Sequence, residues 1–145
     1  MEQERALQRL EQIKQLAGAV DEKGEGGARG PELTPDGMKA IGWTRPPPGE
    51  PLQVFGFGRI RKNDKGEVAD LAVGAINRAQ SHIPIGGLEA YIKSPPSDLP
   101  DVVRDLSGRY HVVSGHTRLT VQMLAGRSTA RVRIYDVRNF KGKQR

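Results

Sequence analysis

Arg109-Tyr110-His111-Val112-Val113-Ser114-Gly115-His116-Thr117-Arg118-Leu119-Thr120-Val121-Gln122-Met123-Leu124-Ala125-Gly126 is the stretch whose reading decides the fold. Arg109 to Val113 follows a Ser107-Gly108 turn and is dominated by β-branched and aromatic residues, which predicts a strand. Ser114-Gly115-His116 is a tight bend. Beyond it, Leu119 with Met123 and Thr120 with Leu124 stand four apart, so Thr117 to Ala125 reads as a helix that Gly126 terminates. In Thr129 to Val137, apolar Ala130, Val132 and Ile134 alternate with arginines, the pattern of a second strand. Strand, bend, helix and strand within about thirty residues make a compact α/β unit.

The bend carries the chemistry. A helix start offers backbone amides and a partial positive charge, both attractive to phosphate. Gly115 permits a sharp turn and close approach. Arg118, in the first helical turn, supplies a fork for phosphate oxygens. Ser114 and Thr117 add hydroxyls, and His116 adds an imidazole, the expected acid or base. The plain structural alternative is a strand-to-helix turn in which Ser, Gly and Thr only cap the helix.

In order and spacing, the strand, Gly115-His116-Thr117-Arg118, the helix, Leu124-Ala125-Gly126 and the next strand resemble the core of the ParB/sulfiredoxin superfamily, whose Gly-x-x-Arg signature opens a helix. Ile83-Pro84-Ile85 resembles that family's opening strand, and the likeness spans about residues 81–137. The resemblance implies an α/β (α+β) domain holding a nucleotide or phosphate at its loop, with ATP or CTP and magnesium as the candidate cofactors. It also implies a plasmid- or phage-encoded nuclease or nucleotide-hydrolysing effector. His116-Thr117-Arg118 stands where partition proteins have Glu-Arg-Arg. His116 also stands where sulfiredoxins need a cysteine; the chain has none, which excludes their reductase chemistry.

Outward from this unit, Glu67 to Val73 reads as the return strand of a hairpin. Its outgoing strand would be Gln53 to Arg61, with Asn63-Asp64-Lys65-Gly66 as the turn. Gly56-Phe57-Gly58 lacks the third glycine and following helix of a dinucleotide loop. His82 is expected to be structural. Residues 86–100 read as loop because of Gly86-Gly87 and Pro95-Pro96, and Asp98 or Asp101 is expected to open a short turn through Val102, Val103 and Leu106. Residues 5–20 read as an amphipathic helix with Leu7, Leu10, Ile13, Ala17 and Val20 on one stripe. It is too short to stand alone, so it docks on its own domain, on a second copy or on a protein partner. Residues 21–52 read as a Gly/Pro-rich tether, within which Thr34 caps a possible turn starting at Pro35 and Trp43 staples a loop. The expected organisation is a helix over 1–20, a linker over 21–52, a domain over 53–137 and a basic tail over 138–145.

Composition sets the outer bounds. The chain has 145 residues, 36% apolar and 28% charged, with 18 Gly, 10 Pro and no Cys. Disulfide scaffolds, thiol nucleophiles and cysteine-ligated zinc are thereby excluded. No apolar run is long enough to span a membrane, and the N-terminus shows no signal core, so the expected location is the cytoplasm, or a virion if the protein is phage-encoded. The net charge is +6, and Arg and Lys greatly outnumber Asp105 and Asp136 after residue 104. Arg131, Arg133, Arg138, Lys141 and Lys143 are therefore the expected contacts to a nucleic-acid backbone, with Phe140 able to stack on a base. His111, Asp105 and Asp136 are further candidates for activating water; their spacing suits no metal site. Two other functions fit the same residues: a non-enzymatic phage structural or assembly protein, and an inhibitor of a partner's DNA-processing machinery.

Overall fold

The computed structural model describes residues 2–22, 30–43, 66–78, 82–105 and 108–136. Over these residues the chain is a small mixed α/β fold. Helix α1 spans Glu2–Lys14, with Glu2 and Glu4 in its first turn and Lys14 in its last, each matched to the helix dipole. It ends earlier than the periodicity over 5–20 predicts. Leu16 N bonds Ile13 O and Gln15 N bonds Gln12 O, a tightened last turn, and Gly18 then takes φ +77°. Ala17 is consequently exposed, and Val20 starts strand β1 (Val20–Asp21).

Much of the expected tether is folded. Strand β2 (Glu32–Leu33) pairs antiparallel with β1, and β5 (Ile83–Pro84) pairs with β2 to complete a three-stranded sheet. Pro84 thus lies on an edge strand, where its missing N–H is tolerated. Helix α2 (Pro35–Ile41) begins as its sequence predicts, with Pro35 in the first turn and the Thr34 hydroxyl accepting from Gly37 N. Met38, Ile41 and Trp43 are buried with Leu33. The linker expectation fails for residues 30–43 because these apolar side chains have a core to enter; residues 44–52 lie outside the described chain.

The larger sheet has the order β3-β8-β6-β7-β4, with β3 spanning Glu67–Ala72, β4 Ile76–Asn77, β6 Asp101–Arg104, β7 Tyr110–Ser114 and β8 Thr129–Asp136. The return strand predicted at 67–73 is present as β3, but its observed partner is β8. The expected outgoing strand Gln53 to Arg61 lies outside the described residues. Residues 101–104, expected as a turn, form β6 at the centre of the sheet, parallel to β8 and antiparallel to β7. Ile85, expected in the opening strand, and residues 86–93, expected as loop, form helix α3 (Ile85–Lys93), which buries Ile85, Leu88 and Ile92. Helix α4 (His116–Leu124) follows β7, and Gly126 closes it at φ +86°.

Helices α1, α3 and α4 pack on one another, and α2 packs on α1 and α4. One continuous apolar cluster joins Ala6, Leu10 and Ile13 of α1 to Leu119, Met123 and Leu124 of α4 and to Val102, Val112, Val132 and Ile134 of the sheet. The N-terminal helix is therefore part of the domain. Leu10 and Ile13 of its apolar stripe are buried in this core, so the helix docks on its own domain.

Candidate functional site

The site lies where β7 runs into α4. Ser114, the last residue of β7, is exposed and stands opposite Asp101 of β6. Gly115 takes φ +94° and serves as the N-cap of α4, and no side chain caps the helix start. A β-carbon at Gly115 would lie 2.9 Å from Pro100 Cα, 2.8 Å from Arg118 Nη2 and 3.0 Å from Arg118 Nε. The turn is thus pressed against β6, and the Arg118 guanidinium folds back over it.

Asp101 is the neighbour that the sequence did not reveal. Burial pushes its carboxyl upward, while Arg118 and Arg133 pull it down and Asp98 pushes it up. Arg133 enters because its residue pairs with Asp101 across β6 and β8 and its amide bonds Pro100 O at 2.9 Å. Tyr135, raised chiefly by burial and secondarily by Asp101, is part of the same neighbourhood. Two arginines and one half-buried carboxylate therefore share the ground beside the glycine turn. The only sequence signal was Asp101 after a proline, and its place beside Arg118 depends on β6 pairing with strands on both sides.

The remaining loop residues divide. His116 is 6% exposed, and burial, helped by the charge of Arg78, pushes its imidazole down to about 4. It is neutral at physiological pH, so the expectation of an acid or base titrating near neutrality fails through desolvation. Its carbonyl accepts from the buried Thr120 hydroxyl at 2.7 Å. Thr117 sets its methyl toward Gly87 of α3. Ser114, Gly115 and Arg118 stay together at the turn, and His116 is withdrawn into the core.

The other candidates are engaged elsewhere. His111 Nε2 lies 2.8 Å from Asp105 Oδ2, both largely buried, while Asp105 Oδ1 accepts from Arg109 N at 2.9 Å. This dyad belongs to the opposite end of β7 from Gly115. Asp136 holds Arg104 through two bonds of 2.8 and 3.0 Å. Arg131 makes an exposed two-point pair with Asp70 at 3.2 and 3.3 Å across β3 and β8. His82 flanks β5, half-buried. Arg138, Phe140, Lys141 and Lys143 lie outside the described residues. Among the described residues no group of three His, Asp or Glu gathers closely enough to hold a metal ion, and no helix is long and apolar enough to cross a membrane.

Beside the turn is a cavity of about 130 Å³, bordered by Arg118, Pro100, Asp98 and Tyr91. The arrangement offers an uncapped helix start, a glycine that permits close approach and a guanidinium already at the turn. Such a constellation can take an anion. Compared with known proteins, the chain gives no significant match to any protein-family model, curated protein or solved structure.

Proposed function

We propose that the chain binds a phosphate-bearing ligand, a nucleotide or a nucleic-acid phosphate, at the turn from Ser114 to Arg118. The observation that carries this reading is the Arg118 guanidinium folded over an uncapped helix start at a glycine with positive φ. The amides of α4 and the guanidinium would share the phosphate oxygens, and the nearby Asp101 carboxylate would orient Arg118. The reading assigns no hydrolytic step: His116 is buried, and the His111–Asp105 dyad sits at the far end of its strand.

The test is equilibrium binding of fluorescent ATP, CTP and a short DNA duplex to the wild type and to Arg118→Ala at two salt concentrations. Loss of a charged hydrogen-bond donor is expected to weaken binding at least tenfold, consistent with about 1.5–3 kcal/mol. Binding that survives the substitution but falls steeply with salt would reassign the interaction to diffuse backbone electrostatics. Absence of binding by all three ligands would end the proposal.

A further inference from the structure

An anion at the Ser114 to Arg118 turn is attracted by the α4 amides and the Arg118 guanidinium. A carboxylate beside it repels it, and Asp101 is such a carboxylate. Asp101 stands across from Ser114 on β7 and from Arg133 on β8, so the three residues form a row over three strands. It directly follows Pro100, whose Cα would lie 2.9 Å from a β-carbon at Gly115. Burial pushes its carboxyl up, and the charges of Arg118 and Arg133 pull against that.

One proton reconciles the carboxylate with the anion. Shared between Asp101 and a ligand oxygen, it replaces repulsion by a short, charge-assisted O–H···O⁻ bond. A phosphate monoester can bring that proton, because its second ionisation falls at about pH 6. A phosphodiester and sulfate are the anions of strong acids with no proton left to share, so they meet the Asp101 charge unrelieved. Size points the same way. The cavity beside the turn, about 130 Å³, equals the volume of roughly four waters. That is room for a phosphoryl group and its ester oxygen, and too little for a strand of nucleic acid.

We infer that Asp101 sets the specificity of the turn by sharing one proton with the bound anion. The ligand is then a terminal phosphate, a monoester or hydrogen phosphate, and not a phosphodiester or sulfate. This inference rests on the phosphate reading above and narrows it, since phosphates within a nucleic-acid backbone are refused. The groups facing Asp101 are Arg118 of α4, Arg133 and Tyr135 of β8, and Asp98 of the loop before β6. Arginines alone would favour the dianion and bind a monoester more tightly as pH rises through about 6. Proton sharing with Asp101 gives the opposite sign, an affinity that falls toward about tenfold per pH unit above that value.

NMR titration of the Gly115 amide would compare phenyl phosphate, its methyl diester and sulfate at about pH 6 and about pH 8. In the wild type, phenyl phosphate is expected to bind about tenfold or more tighter than the other two at the lower pH, and to weaken about tenfold or more at the higher. Asp101→Asn should admit sulfate and the diester and reverse the pH slope of the monoester. Diester or sulfate binding as tightly as the monoester at the lower pH, monoester binding that holds or strengthens as pH rises, or a wild-type profile in Asp101→Asn would each overturn the inference while the phosphate reading stands. Absence of binding by all three anions would remove the phosphate reading, and the inference with it. The wild-type comparison decides the matter even if Asp101→Asn does not fold.

Discussion

Gly115 and His116 are adjacent, yet they answer to different physics. A side chain at Gly115 meets the backbone of Pro100, and its φ of +94° is one that L-residues resist. Gly115→Ala is expected to destabilise the fold by about 1–3 kcal/mol, read as a lower urea midpoint at unchanged slope. His116 contributes to the acid limb of stability. Its imidazole titrates at about 4 in the fold against 6.5 when free, so between those values the unfolded chain binds the extra proton. Stability should be unaffected by this group above about pH 6.5, fall by roughly 1.4 kcal/mol per pH unit down to about pH 4, and level off below. Urea unfolding across that window should show a shallower decline for His116→Gln; equal declines in the two proteins would refute the assignment. The placement of Gly115 and Arg118 at the turn was readable in the sequence because it follows from local order. The withdrawal of His116 was not, since a histidine's burial depends on what surrounds α4, and its charged neighbour Arg78, just past β4, is far away in the sequence.

At the scale of elements, reliability followed the length and locality of each signal. β7, α4 and β8 are each marked by their own periodicity, and α2 by Thr34 and Pro35, so all four were legible. Helix α3 carried a helical signal too, Ile85, Leu88 and Ile92 at spacings of three and four, but Gly86-Gly87 and the following prolines outweighed it. Tertiary packing overrides that propensity: the three apolar side chains enter the core, and the glycines sit in the first turn. Nothing crowds a β-carbon at Gly86, so Gly86→Ala is expected to stabilise the protein by about 0.5 kcal/mol, visible as a modest rise in thermal midpoint. Strand β6 illustrates the opposite limit. Asp101-Val102-Val103-Arg104 is too short for periodicity to distinguish strand from turn, and only its neighbours β7 and β8 define it. Because Asp101 enters the site through β6, missing that strand meant missing the carboxylate.

For the whole molecule, the main departure from the sequence reading is that the appended arm is core. Leu10 is 1% exposed, and Leu10→Ala should cost about 2–5 kcal/mol, measured by chemical unfolding. A change near zero would show that α1 is dispensable after all. The same arrangement sets a schedule for biosynthesis. α1 leaves the ribosome well before its main partner α4, about a hundred residues later, and β8, an interior strand of the sheet, comes later still. At about 5–20 residues per second, an amphipathic helix waits several seconds for the surface that will cover it. Its apolar stripe is during that interval a segment for chaperones to shield, and folding to the native core is deferred until β8 has emerged.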